Sequence, residues 1–214
     1  MVLQMNNKIT IIANGKMNNA DFYQEYVKDS DIIICADGGA NNAYKMNIIP
    51  DYIIGDLDSI DESIEAYFKK NHKTKIINDQ NQEKTDLELA ISLAESEKPD
   101  EIFIFGAIGD RIDHTLANIL NLIKINTEIN VQIIDEKNIL QLVDKSTVIK
   151  GSKDDIISII PLTKIEGLSF EGMKWPVSNK NTKFGWFGLS NRLTKQKAKI
   201  SFSKGKLLII KVRE

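Results

Sequence analysis

Short apolar runs rich in isoleucine recur through the first two-thirds of the chain, at residues 9–13, 32–36, 52–54, 75–77, 102–105 and 131–134, with amphipathic stretches between them. A continuous apolar run has no polar face to offer water, so a strand built from it is covered on both sides. Strands alternating with helical patterns meet that demand as a mostly parallel sheet wrapped by helices. The repeat therefore commits this part of the chain to an α/β fold.

Two of the intervening helices are readable in detail. Thr85 and Glu88 form an S/T-x-x-E capping box, and Leu87, Ala90, Ile91 and Ala94 follow with the spacing of one buried face. A second helix is expected near Asp113, where Leu116, Ile119, Leu120 and Ile123 repeat that spacing; both stripes are expected to be core. After residue 138 the rhythm changes to short strand-like runs at 139–143, 156–161, 199–202 and 206–212, with Ser203-Lys204-Gly205 as a hairpin turn and no helical pattern between. The expected division is an α/β domain over residues 1–138 followed by a smaller all-β domain over 139–214.

Composition narrows the function classes. A formal charge of −2, with 42% hydrophobic and 27% charged residues, gives no pull toward nucleic acid or membranes, and neither is expected as a partner. Cys35, the single cysteine, sits inside an apolar run and excludes an intrachain disulfide framework or a multi-cysteine zinc site. No stretch approaches the ~20 apolar residues of a membrane span, and no leader pattern opens the chain, so a reducing cytoplasm is the expected compartment.

The residues that carry chemistry gather where strands end or helices begin, the edge at which open α/β sheets bind ligands. Asp56 and Asp58 close the run Ile-Ile-Gly-Asp-Leu-Asp-Ser. In an extended segment, side chains two apart project to the same side, so the pair can converge on one hard cation such as Mg²⁺. Ser59 and Glu62 equally fit a capping box, so the same residues can simply open a helix. Asp37-Gly38-Gly39 allows either a close backbone approach to a ligand or a plain strand-to-helix turn. Asp86 opens a helix, where the dipole favours a carboxylate, and beside Asp56 and Asp58 it can supply a third oxygen ligand.

In Gly106-Ala107-Ile108-Gly109-Asp110-Arg111-Ile112-Asp113-His114, Arg111 can grip phosphate bidentately, and Asp113 can cap its helix or orient a polar ligand group. His72 and His114 are the only histidines, which gives little support to a triad or a zinc site; His72 is expected to be exposed. Neither G-x-x-x-x-G-K-[ST] nor G-x-G-x-x-G follows a strand, so phosphate binding would run through metal at the acidic edge.

The ordered set A-D-G-G-A-N, P-D-Y-I-I-G-D-L-D-S, T-D-L-E-L-A and G-D-R-I-D-H-T-L-A-N, followed by Glu171-Gly172-Met173-Lys174-Trp175-Pro176 and Leu189-Ser190-Asn191, resembles the thiamine pyrophosphokinase family from about residue 9 to 212. The resemblance implies an amino-terminal α/β catalytic domain that binds ATP and Mg²⁺. It also implies a carboxyl-terminal β-sandwich for thiamine binding and dimerisation, and a homodimer with its sites between subunits. The implied reaction moves the pyrophosphoryl group of ATP to the hydroxyl of thiamine, giving thiamine diphosphate and AMP.

By the same resemblance Asp56, Asp58 and Asp86 are catalytic and bind Mg²⁺, with Asp56 or Asp86 as the base. Asp37, Arg111 and Asp113 lie at the nucleotide, and Ser190 and Asn191 at thiamine. Gln82 is a further thiamine candidate, from the ungapped match of Asn81-Gln82-Glu83-Lys84-Thr85-Asp86 to a D-Q-x-x-T-D pattern of some relatives. The tryptophan that certain relatives carry in the last strand has no counterpart in Lys206-Leu207-Leu208-Ile209-Ile210, and Trp175 and Trp186 stay outside the expected site.

Overall fold

The computed structural model of the chain describes residues 7–71, 73–80, 83–183 and 185–213. It forms two compact units, residues 1–136 and 137–214. The first runs β1 (Lys8–Ile12), α1 (Ala20–Val27), β2 (Ile32–Ala36), α2 (Gly39–Lys45), β3 (Tyr52–Gly55), α3 (Glu62–Lys70), β4 (Lys75–Asn78), α4 (Asp86–Ser96), β5 (Glu101–Phe105), α5 (Ile112–Asn121) and β6 (Asn130–Ile134). Its strands pair in the order β6-β5-β1-β2-β3-β4, and every pair is parallel.

The apolar runs explain the order. Ile9, Ile11 and Ile12 of β1 are fully buried, and β1 lies between β2 and β5 with Ile9 opposite both Ile32 and Ile102. Thr10, the one buried polar residue there, shares a 2.6 Å hydrogen bond with Ser30, which allows its hydroxyl to be buried. Order reverses between β1 and β5, so this gap is the topological switch point of the sheet. Right-handed crossovers put α1 to α3 on one face and α4 and α5 on the other. Tyr23 and Tyr26 of α1 meet Phe105 and Phe103 of β5 edge-on, while α4 packs across β1, β2 and β3.

The capping box at Thr85 is present, and Leu87, Ala90, Ile91 and Ala94 are buried, as the spacing predicts. The stripe on α5 is different. Leu116 and Leu120 are 55% and 43% exposed and Ile119 and Ile123 are only half-buried, so the expectation that this stripe is core is overturned, and Ile112, 74% exposed, extends the open face. Periodicity identifies an apolar face but not what covers it. Cys35 is buried, as expected; His72 lies outside the described residues. Among the described residues no helix is long and apolar enough to cross a membrane.

The second unit is a β-sandwich of β7 (Asn138–Val143), β8 (Thr147–Lys150), β9 (Ile156–Pro161), β10 (Ile165–Glu171), β11 (Val177–Thr182), β12 (Gly188–Arg192), β13 (Lys197–Ser201) and β14 (Leu207–Val212). One sheet has the order β12-β9-β14-β7 and the other β11-β10-β13-β8. Ile157, Ile159, Leu207 and Ile209 of the first meet Leu168, Phe170, Ala198 and Ile200 of the second in a shared core.

Ser203-Lys204-Gly205 is not the hairpin that its composition predicts. β13 pairs with β10 and β8, whereas β14 pairs with β7 and β9, so the turn carries the chain from one sheet to the other. An isolated bridge between Lys204 and Glu166 holds it at the crossing.

Candidate active site

Loops following β1, β2 and β5 meet the first turns of α4 and α5 at the carboxyl edge of the parallel sheet, around a cleft of about 750 Å³. Asp37, Asp86, Arg111 and Asp113 line it, together with Lys16 and His114. The size suits a small organic ligand.

Asp37 is the most constrained member. It follows β2 directly and turns the chain into α2 with a left-handed φ of 42°, a conformation that Asp tolerates better than bulkier residues. Its amide donates to the Ile54 carbonyl at 2.9 Å, tying the ends of β2 and β3. The residue is only 4% exposed, and its Oδ1 is buried with no hydrogen-bond partner. Burial pushes the carboxyl above its ordinary value; hydrogen bonding from Ser59 and the Gly38 amide works against this, and the charges of Asp56 and Asp58 reinforce it.

One carboxylate oxygen from each of Asp37, Asp56 and Asp58 lies within 4.8 Å of the others. The pleat of a strand does not produce this convergence. β3 ends at Gly55, and Leu57 adopts a left-handed φ of 67°, so the two aspartates are brought together by a turn. The Asp58 amide donates to Asp56 Oδ1 at 3.3 Å, and Ser59 Oγ donates to Asp58 Oδ1 at 2.9 Å. The expected Ser59–Glu62 capping box is therefore absent: the N-cap of α3 is Asp61, with no side-chain cap bond, and Ser59 faces the carboxylate instead.

Asp86 stands beside this group, at the first position of α4. A Cβ on Gly55 would lie 2.7 Å from Asp86 Oδ1 and 2.8 Å from Asp37 Cβ, and Gly55 itself has φ +152°; both facts keep the position to glycine. Burial raises the affinity of Asp86 for a proton, and the charges of Asp37 and Asp56 raise it further. A set of hard oxygen donors with one buried and unpartnered oxygen fits a divalent cation such as Mg²⁺.

Arg111 occupies the N-cap position of α5 without a side-chain cap, and turns its fork onto Asp113 through Nε to Oδ1 at 3.1 Å and Nη2 to Oδ2 at 2.5 Å. The guanidinium holds the Asp113 carboxyl well below the usual carboxylate range. Asp113 is thus the partner of Arg111 and caps no helix. α5 also steadies the glycine loop, since Asn118 donates to the Ala107 carbonyl at 2.9 Å and Thr115 Oγ1 accepts the Gly109 amide at 3.1 Å.

In the second unit, Ser190 is exposed and has a left-handed φ of 55°, with its amide on Ser158 Oγ at 3.0 Å. Asn191 is 4% exposed. Its amide is committed inside the protein, since Oδ1 accepts from the Trp175 amide at 3.0 Å and Nδ2 donates to the Trp175 carbonyl at 2.7 Å. It holds the backbone of an indole that is 53% exposed. Gln82 lies outside the described residues.

Two residues with no role assigned from sequence prove to hold the site. Asn41 donates to the Ser59 carbonyl at 2.9 Å and accepts the Asp61 amide at 3.1 Å, clamping the Asp56–Ser59 turn. Asn42 donates to the carbonyls of Ala13 and Gly15, both at 2.9 Å. The A-D-G-G-A-N cluster includes Asn41 and stops one residue short of Asn42, which no sequence signal marks.

Comparison with known proteins finds the same layout. The family model described as thiamin pyrophosphokinase, catalytic domain, matches residues 23–133, and that described as thiamin pyrophosphokinase, vitamin B1 binding domain, matches residues 144–207. A thiamine pyrophosphokinase of Bacillus subtilis is 32% identical over 208 residues, covering 95% of this chain and 97% of that protein. The crystal structure of thiamine pyrophosphokinase from Bacillus subtilis superposes with a TM-score of 0.86 at 30% identity, over 97% of this chain and 100% of that one. A structure of thiamin pyrophosphokinase from Candida albicans gives 0.83 at 25% identity, over 97% and 90% of the two chains. With both family models matched in order and a relative aligned nearly end to end, this chain belongs to the thiamine pyrophosphokinase family.

Proposed function

We propose that the protein transfers the pyrophosphoryl group of ATP to the hydroxyl of thiamine, releasing thiamine diphosphate and AMP. The observation that carries this reading is the group Asp37, Asp56 and Asp58 in a chain of this family, joined to the cleft through Asp37, which lines it and carries the buried unpartnered oxygen. Asp56, Asp58 and Asp86 are the residues we assign to Mg²⁺, and Asp37 fits the same donor set. Bound there, the ion would neutralise charge developing on phosphate oxygens during an in-line displacement. Asp56 or Asp86 accepts the hydroxyl proton of thiamine. Arg111, fork-shaped and already matched to a carboxylate, suits a nucleotide phosphate, and release from Asp113 costs little because the pair is exposed.

Ser190, exposed at a left-handed turn, and Asn191, through its hold on Trp175, are assigned to the thiamine side. The test is direct: incubation with ATP, Mg²⁺ and thiamine should release AMP only when thiamine is present, with thiamine diphosphate formed. Inorganic phosphate with no thiamine diphosphate would overturn the assignment in favour of a phosphohydrolase.

The reading extends to a cytoplasmic homodimer with its sites at the subunit interface. Ile112, Leu116 and Leu120 support it, since they give α5 an exposed apolar stripe while Asp113, His114 and Ala117 of the same helix line the cleft. A second copy seated on that stripe would border the site. Leu116→Glu is expected to convert the dimer to a monomer in sedimentation analysis and to lower turnover with it. A monomeric parent protein at micromolar concentration would remove the dimer from the proposal.

A further inference from the structure

Besides Arg111, the cleft holds one other Lys or Arg side chain among the described residues, Lys16. It follows Asn14-Gly15 in the loop after β1, on one side of the switch point. The loop after β5 forms the other side, and the two are joined backbone to backbone, with the Gly15 amide on the Gly106 carbonyl at 2.7 Å and the Ala13 amide on the Phe105 carbonyl at 2.8 Å. Asn42 fixes the carbonyls of Ala13 and Gly15 from behind. The stem of Lys16 therefore leaves a firmly held point at the mouth of the crevice.

Lys16 Nζ rests on Asp110 Oδ2 at 2.7 Å, and both side chains are largely exposed, at 64% and 78%. An exposed pair of this kind contributes little and opens readily. The backbone around it has little to offer an anion: the Gly15 amide is committed to Gly106, and α1 begins only at Ala20, with Asn19 as its cap. On this wall of the crevice no glycine-rich turn feeds a helix N-terminus, the usual phosphate cradle in an open α/β sheet; the glycine loop that leads into α5 lies on the other wall, after β5. Meanwhile the cleft is lined by the carboxylates of Asp37, Asp86, Asp110 and Asp113. A polyphosphate entering it meets repulsion that a mobile cation on this side would offset.

Resting on the function proposed above, we propose that Lys16 is a phosphate-binding residue for ATP: it is held by Asp110 until the nucleotide enters, and then leaves it to contact the triphosphate. A charged hydrogen bond of this sort corresponds to about a 10- to 100-fold change in affinity. Lys16→Met should raise the KM for ATP at least about tenfold while the KM for thiamine moves less than about twofold, and Lys16→Arg should restore part of the loss. Asp110→Asn should move the KM for ATP the opposite way, downward, because the competing carboxylate is gone.

A purely structural ion pair would make both variants change ATP and thiamine kinetics in the same direction, along with the melting temperature, and that result would overturn the proposal. So would an unchanged KM for ATP in Lys16→Met beside an active parent. Direct titration with ATP separates this from the assignment of the reaction: if the parent makes no thiamine diphosphate but binds ATP, weaker binding by Lys16→Met still supports Lys16, and equal binding rejects it.

Discussion

Asp56→Asn and Asp58→Asn are each expected to cut turnover by at least about a hundredfold while leaving the fold intact. Loss of a group that merely orients a metal ligand already costs about 10- to 100-fold, so loss of an anionic ligand sets that range as a floor. Asparagine keeps the size of the side chain and one oxygen, so at Asp56 the bond from the Asp58 amide can persist. The stability of the ion-free protein should not fall with Asp56→Asn, and its sign follows from linkage. Asp37 and Asp86 both have carboxyls raised by burial, and the charge of Asp56 raises each further. A carboxyl whose folded pKa lies above its unfolded one imposes no penalty below the unfolded value; the penalty grows as pH rises through that interval and is complete above the folded value. Removing the charge of Asp56 shrinks the interval. Urea denaturation in EDTA near pH 4 and near pH 7.5 should therefore show a smaller loss of stability at the higher pH for Asp56→Asn than for the parent. Retained turnover would remove the residue from the metal site, and a steep loss of stability at both pH values would make it a structural member of the turn.

What the sequence made legible is what local pattern encodes. β2 and β9 have the bounds read from their apolar runs, and Thr85 caps α4 as its spacing predicts. The acidic edge was also legible, because residues that must leave the end of a strand are marked by glycine and aspartate. Long-range pairing was not. β11 is Val-Ser-Asn-Lys-Asn-Thr, with Thr182 its only buried residue, so no apolar run announces it. Ser203-Lys204-Gly205 signals a turn, yet nothing local says that the chain changes sheets there. The spacing of Asp56 and Asp58 predicts convergence through the pleat of a strand, whereas the left-handed Leu57 brings them together. Lys16 and Asp110 are too distant in sequence for any spacing rule to join them; only the interlocked loops after β1 and β5 do.

Gly39→Ala is expected to destabilise the protein by about 3 kcal/mol, a sign opposite to that of helix propensity. Within a helix, alanine is favoured over glycine by about 1 kcal/mol, so a reading of α2 as an isolated helix predicts a more stable variant. The packing decides otherwise. A Cβ on Gly39 would lie 2.0 Å from the Ile12 carbonyl oxygen and 3.2 Å from Ala13 Cα, both backbone atoms that have no rotamer to yield. Ala40 and Ala43, fully buried, complete the small face that brings α2 down onto β1 and β2. To admit the methyl group the helix must lift, which stretches the two bonds from Asn42 to Ala13 and Gly15 and leaves buried carbonyls short of a donor. Lifting α2 also moves Asp37, two residues ahead of it, and Asn41, which clamps the Asp56–Ser59 turn. Turnover should therefore fall even at temperatures where the variant remains folded, with Asn42→Ala a milder version of the same defect. Equal or greater stability of Gly39→Ala in urea denaturation would mean that α2 does not press on β1 this closely, and that the carboxylates of the cleft owe their placement to the loops alone.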